Sequence, residues 1–338
     1  MVRQKLLMKG NNMGKLKLTM ALSLYDRHIP FFDGTLTLSK NLELNVLQAG
    51  QSSPLRDGIN RHERMIQKKE FDVCELSLSS YIMAKSRNMP FTAIPVFPRR
   101  LFSQSQMYVN AASGIHSPKD LVGRKVGLSS FQTTLSVLAK GDLKTEYGVP
   151  WEKMKWYVSK EETVSFKVKE GVFLQKIGEG RKIGKMLEEG EIDALFMPHP
   201  PKSVLQGSAQ VRRLFADPRQ EELRYYRKNK FYPIMHIIAL RQELVEREPW
   251  IVRTLMDLFE EAKTIYSRYY DDPNWSQLAW GRHFFEEQRN LFGEDLWPSG
   301  VGKNKSNLER FIEYSLDQDL IDKKIKVEQL FTDSVLDT

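Results

Sequence analysis

Hydrophobic and polar positions alternate through residues 16–24, where Lys17, Thr19 and Ser23 interrupt an apolar run, and this period of two predicts a strand. Lys125-Val-Gly-Leu128 predicts another, followed by the polar loop Ser129-Ser-Phe-Gln-Thr-Thr134. Two ungapped segments, 121 residues apart, echo each other: Met65-Ile-Gln-Lys-Lys-Glu-Phe-Asp-Val-Cys74 and Met186-Leu-Glu-Glu-Gly-Glu-Ile-Asp-Ala-Leu195. Each reads as a helix end, a short acidic turn and a buried strand. Together with the strands that precede them, they predict two similar α/β lobes, each built on a mostly parallel sheet.

Two proline-containing stretches, Ile94-Pro-Val-Phe-Pro-Arg-Arg-Leu101 and Met197-Pro-His-Pro-Pro201, suit stiff crossings between the lobes, because proline fixes φ. The expected division is residues 15–100 and 202–338 in the first lobe and 101–201 in the second, after a disordered basic leader, 1–14. Beyond Pro249-Trp250 a helical period runs to Tyr270. More helix is expected on both sides of Trp297-Pro298 and, briefly, over residues 327–331. The aromatic residues of these helices suit either core or a homo-oligomer interface.

In open α/β sheets ligands bind beyond the carboxyl ends of the strands. Here those ends deliver Tyr25, Asp26 and Arg27; Glu75, Ser77, Ser79, Ser80 and Tyr81; Ser129, Ser130, Gln132, Thr133 and Thr134; and Met197 and His199. Hydroxyls and helix N-terminal amides suit an oxyanion, and Arg27, Arg99 and Arg100 supply carboxylate forks. A small carboxylate is the ligand this set implies. Ser79 and Thr133 also suit plain helix capping. His236, in an apolar strand, suits either a core position or the cleft; His199, between prolines, suits the cleft.

The 338 residues are 41% hydrophobic and 28% charged, as in a globular protein with ample core. Net charge is +8, but Arg3, Lys5, Lys9, Lys15 and Lys17 lie in the first twenty residues with no acid among them. The body is close to balanced, which argues against a nucleic-acid partner. The lone Cys74 excludes an internal disulfide and suits a small buried hydrophobe. No apolar run of eighteen residues and no secretory h-region appear, so neither a membrane partner nor export is expected, and the expected location is cytoplasmic. Met13 is an alternative start.

Other signals are weak. Gly178-Glu-Gly180-Arg-Lys-Ile-Gly184 is one residue too long for a dinucleotide loop. His28, His62, His116, His199, His236 and His283 show no metal-ligand spacing, so no metal is expected.

Several stretches together resemble the 4,5-dihydroxyphthalate decarboxylase family. They are Tyr25-Asp-Arg27 with Asp33-Gly34; Phe71-Asp-Val-Cys-Glu-Leu-Ser-Leu-Ser-Ser-Tyr81; Phe91-Thr-Ala-Ile-Pro-Val-Phe-Pro98; Ser117-Pro-Lys-Asp-Leu121 with Gly123; Glu146-Tyr-Gly-Val149; Gly190-Glu-Ile-Asp-Ala-Leu195; Pro233-Ile-Met-His236; and Leu291-Phe-Gly-Glu-Asp-Leu-Trp-Pro298. The resemblance spans residues 15–332 and weakens over 151–175 and after Pro201. It implies a type 2 periplasmic-binding-protein-like α/β fold with a ligand cleft between the lobes and a helical C-terminal part. It also implies cofactor-independent loss of CO2 from an aromatic dicarboxylate.

For that chemistry the ring is the electron sink, so no cofactor is needed. One base, one acid and a grip on two carboxylates are needed. The expected grip is Arg27 with the Ser79-Ser80 and Thr133-Thr134 helix starts. His236 or Glu75 is expected at the para hydroxyl, and His199 or Asp26 as proton donor. The alternatives are a solute-binding protein for a small organic anion and an enzyme of the same fold acting on another substrate.

Overall fold

The computed structural model describes residues 14–49 and 61–338; apart from Gly14, the expected leader lies outside them. Strands β1 (Leu16–Ala21), β2 (Leu42–Leu47), β3 (Val73–Ser77) and β4 (Phe91–Ile94) precede β5 (Met107–Asn110), β6 (Lys125–Leu128), β7 (Lys155–Val158), β8 (Phe173–Lys176), β9 (Ala194–Phe196), β10 (Val211–Arg213) and β11 (His236–Arg241). Helices α1 (Arg61–Lys68), α2 (Leu78–Ser86), α3 (Thr134–Tyr147), α4 (Ile183–Glu188) and α5 (Lys202–Leu205) alternate with them. Then come α6 (Pro218–Asn229), α7 (Gln242–Arg247), α8 (Ile251–Ser267), α9 (Gly281–Phe292) and α10 (Val301–Asp317), with a short 3-10 helix at Val327–Leu330.

The strands form two sheets, β2-β1-β3-β11-β4 and β8-β7-β6-β9-β5-β10. The two orders correspond strand for strand, β8 being an extra edge. The predicted parallel pairing holds for β1 with β2 and β3, and for β6 with β7 and β9. The other half of each sheet is antiparallel, through β11 in the first and β5 in the second. Topology explains this. The parallel strands run toward the cleft, whereas β5 and β11 enter from the other lobe and so run away from it.

The sequence echo has a physical cause. Asp72 Oδ2 accepts the Thr19 amide of β1 at 2.8 Å, and Asp193 Oδ2 accepts the Lys125 amide of β6 at 2.8 Å. In each lobe this aspartate, just before its own strand begins, satisfies a backbone donor of the neighbouring parallel strand.

The first crossing runs where expected, through Pro95 to Leu101. The second does not lie at Met197–Pro201, because β10 still pairs with β5 in the second sheet. The chain returns at Phe231–Met235, beside the first crossing: Leu101 N donates to Pro233 O at 3.0 Å, and Met235 N to Arg99 O at 2.8 Å. Arg100 is buried there and serves the hinge instead of a ligand. It donates to Tyr232 O (2.8 Å), Pro298 O (2.9 Å) and Asn304 Oδ1 (2.6 Å), tying both crossings to α10.

Candidate active site

The register of β11 brings His236 opposite Ser77, at the cleft end of β3. Two residues earlier on the same face of β3 lies Glu75, wholly buried. Its carboxylate accepts from Arg61 Nη2 at 2.9 Å, the Tyr25 hydroxyl at 3.0 Å, the Ser23 amide at 2.8 Å and His236 Nδ1. Arg61 Nε also donates to the Glu75 carbonyl at 2.8 Å. Burial pushes the Glu75 carboxyl up, but Arg61 and His236 outweigh it and hold the group well below the usual carboxylate range. Burial pushes His236 down to about 4, although Glu75 pulls the other way, so the ring is neutral at neutral pH. Burial, followed by Glu75, raises Tyr25 to about 12.

A cavity of about 170 Å³ lies in front of this pair. Arg61, His62, Ser77, Arg99 and His236 meet Thr133, Thr134, Pro198 and His199 across it. His62 Nδ1 accepts the Ser77 amide at 3.1 Å, and its ring meets that of His236 edge-on, 5.2 Å between centroids. Burial, then Arg61, holds His62 well below the ordinary histidine value. His199 is also lowered, by burial, Arg99 and Lys160. Among the described residues the Arg99 guanidinium donates only to the Pro198 carbonyl, at 3.4 Å, and faces no carboxylate. The lobes touch at the cavity: Ser77 Oγ lies 2.8 Å from Thr134 Oγ1, which also accepts the Ser79 amide at 3.2 Å. Farther out, Gln67 Nε2 donates to Thr163 O at 3.2 Å. The arrangement is a small, half-open space that, in the unliganded protein, holds two guanidinium groups and three neutral imidazoles. It suits a compact carboxylate, with acceptors and donors at hand for proton transfer.

His236, His199, Ser77, Arg99, Thr133 and Thr134 therefore come together, with Glu75 and Tyr25 behind them. Other expected site residues go elsewhere. Tyr81 is buried with its hydroxyl on the Leu330 carbonyl, because the helix turn after Ser77 rotates it into the core. Gln132 is buried and bridges Val164, donating to its carbonyl at 2.8 Å and accepting its amide at 3.2 Å. Asp26 accepts from the Tyr270 hydroxyl at 2.6 Å. Arg27 lies 3.7 Å over the Trp297 ring and donates to Pro98 O at 3.1 Å. Asp26 and Arg27 open on a different cavity, of about 590 Å³, that shares no lining residue with the first.

The helix starts are also more occupied than expected. In α2 the Leu78 amide donates to Met235 O at 2.9 Å, the Ser79 amide is taken by Thr134, and Ser80 is buried. Before α3 the Phe131 and Gln132 amides donate to Glu162 at 2.6 and 3.1 Å. Ser130 O accepts from Ser136 Oγ at 2.8 Å, and Ser129 O accepts the Lys160 amide at 2.9 Å. Thr133 caps α3, accepting the Ser136 amide at 3.4 Å, and also lines the cavity. Arg61 and His62 were not singled out by sequence reasoning. The available signal was Glu75 itself: a carboxylate in a buried strand needs a cation, and Arg61 begins the helix leading to that strand.

Among the described residues no helix is long and apolar enough to cross a membrane, and no cluster of three or more His, Cys, Asp or Glu is arranged to hold a metal ion.

No family model matches the chain. The periplasmic aliphatic sulphonate binding protein of Escherichia coli has the same fold, with a TM-score of 0.54 at 13% identity, covering 94% of this chain and 92% of that one. Two corresponding mixed sheets, a paired crossing and a cleft at the strand ends thus define a type 2 periplasmic-binding-protein-like fold. The 4,5-dihydroxyphthalate decarboxylase of Comamonas testosteroni is 33% identical over 337 residues, covering 96% of this chain and 99% of that protein. Its counterpart from Pseudomonas putida is 29% identical over 222 residues, 64% of this chain and 83% of that protein. The chain belongs to the 4,5-dihydroxyphthalate decarboxylase family.

Proposed function

We propose that the chain is a carboxy-lyase that releases CO2 from a small aromatic dicarboxylate of the 4,5-dihydroxyphthalate type. Beside family membership, one observation carries this reading: a neutral imidazole, His236, is backed by the buried Glu75 on the wall of a cavity that also holds Arg61 and Arg99. In the substrate each carboxylate is para to a hydroxyl. His236 Nε2 takes the proton of that hydroxyl, and the resulting imidazolium is stabilised by Glu75. His199, across the cavity, takes up a proton from solvent as the dianionic ligand enters. As imidazolium it protonates the ring carbon that bears the carboxylate; once CO2 has left, His236 returns its proton to the phenolate. The quinoid intermediate then loses CO2 as the ring regains aromaticity, and the electron pair of the broken C–C bond returns to the ring. Arg99 and Arg61 hold the carboxylates. Asp26, committed to Tyr270 and facing another cavity, has no part in this scheme.

Incubation with 4,5-dihydroxyphthalate, following CO2 and the ring product, tests the reading. It predicts stoichiometric CO2 and 3,4-dihydroxybenzoate. Tight binding with no release would make the chain a receptor instead.

A further inference from the structure

The two guanidinium groups on the cavity wall are unequal. Arg61 is buried and committed. Its Nη2 donates to the Glu75 carboxylate at 2.9 Å, Nε to the Glu75 carbonyl at 2.8 Å and Nη1 to the Ala49 carbonyl at 3.3 Å. Its charge is offset by that carboxylate. Arg99 lines the same cavity with one long bond to the Pro198 carbonyl, at 3.4 Å, and no carboxylate among the described residues. Its charge adds to burial in lowering both His199 and His236, so it sits close to both rings. A ligand therefore meets one open fork and one neutralised guanidinium.

The proposed substrate is symmetric. Its two carboxylates are equivalent, and each is para to one hydroxyl and meta to the other. The site must select the one that leaves. A departing carboxylate loses its negative charge as CO2 forms, so a cation gripping it stabilises the bound state more than the transition state. The retained carboxylate keeps its charge throughout, and a grip on it does not oppose the reaction.

We infer that Arg99 is the specificity-determining residue of the site: its fork holds the carboxylate that stays, meta to the hydroxyl on His236, while Arg61 faces the one that leaves. Which carboxylate is called leaving rests on the proposed function; the binding pattern does not depend on turnover. After one CO2 is lost, the remaining carboxylate is on Arg99 and none is para to the hydroxyl on His236. In this pose the product cannot lose a second.

The test uses two isomers of equal charge and size, 3-hydroxybenzoate and 4-hydroxybenzoate, titrated calorimetrically against the full chain. The meta isomer places its hydroxyl on His236 and its carboxylate on Arg99 together; the para isomer leaves the Arg99 fork empty. The wild type is expected to bind the meta isomer about tenfold or more tighter, the effect of one charge-assisted hydrogen bond. Arg99→Ala is expected to weaken the meta isomer about tenfold or more and to leave the para isomer within about threefold. Arg99→Lys, with charge but no fork, is expected to keep part of the preference. Phthalate, which has both carboxylates and no hydroxyl to react, is expected to weaken in Arg99→Ala as the meta isomer does. A general loss of positive charge or of structure would weaken both isomers alike.

Equal affinity of the wild type for the two isomers, a preference for the para isomer, a preference that survives in Arg99→Ala, equal loss of both isomers there, or no binding of 3-hydroxybenzoate by the wild type would each overturn the inference. If the isomers behave as expected while 4,5-dihydroxyphthalate releases no CO2, the inference stands and the proposed function falls. If CO2 is released while the wild type binds both isomers alike, the proposed function stands and the inference falls.

Discussion

Ser77 Oγ and Thr134 Oγ1 lie 2.8 Å apart, one hydroxyl from each lobe, at the edge of the cavity. Thr134 also accepts the Ser79 amide, so a single side chain ties the second lobe to the start of α2. Both bonds must break when the lobes part. Thr134→Val keeps the shape of the side chain but removes both bonds, leaving the Ser79 amide without its partner. The unliganded protein is expected to shift toward an open form, seen as a larger radius of gyration in solution X-ray scattering. Phthalate affinity is expected to fall about fivefold or more. An unchanged scattering curve would show that these bonds do not hold the lobes together.

Arg99 faces the cavity without a carboxylate among the described residues, whereas Arg61 is committed to Glu75. The substrate therefore gains most from Arg99. Arg99→Ala is expected to raise KM about tenfold or more with a smaller change in kcat. Arg99→Lys restores charge but not the fork, and is expected to fall between. Steady-state kinetics decide this; an unchanged KM in Arg99→Ala would remove Arg99 from the grip.

The pH dependence follows from buried neutral histidines. His28 and His236 are each lowered to about 4, chiefly by burial. Their unfolded counterparts titrate near 6.5, so between about pH 6.5 and 4 the unfolded chain binds protons that the folded chain refuses. Stability is expected to fall as pH drops through this window, by about 1.4 kcal/mol per pH unit for each such histidine. Denaturant melts at several pH values measure it. For activity, His236 stays a competent base down to about pH 4, so kcat/KM is expected to show no loss between neutral pH and about 5. An activity loss with a half-point near 6.5 would contradict the dominance of burial at His236, because Glu75 alone pulls the group upward.

Much of the fold was legible in the sequence because backbone constraints leave a periodic trace. The Asp72 and Asp193 turns repeat because both lobes must satisfy the same strand amide. The second crossing was misread because prolines mark stiffness rather than a change of lobe. Only pairing reveals that Val211–Arg213 still belongs to the second sheet. His236, His199 and Ser77 meet at one cavity, with Glu75 behind them, because strand ends point to the cleft. Arg27 and Tyr81 were misplaced because position beyond a strand does not say which way a side chain turns. Arg27 finds Trp297, more than 250 residues later in the chain, and such a partner leaves no local signal. Residues 151–175, where the family resemblance weakens, supply Glu162 to the turn before α3 and Thr163 to the contact with α1.

Helix α10 packs so closely on α3 that a β-carbon on Gly141 would lie 2.2 Å from the Tyr314 ring. Tyr314 also donates to Asp142 at 3.1 Å. On an exposed helix Gly→Ala stabilises. Here Gly141→Ala is expected to cost about 1–3 kcal/mol, the usual effect of overpacking, and to lower the melting temperature by several degrees. An increase in melting temperature would mean that the two helices can part without loss.

The most direct measurement compares CO2 release from 4,5-dihydroxyphthalate by the wild type and by His236→Gln, with phthalate affinity measured on both. Glutamine keeps polarity near the cavity but is no base at neutral pH. The account predicts that kcat falls by about two to four orders of magnitude while phthalate binds within about threefold of wild type. Turnover by His236→Gln at the wild-type rate would contradict it.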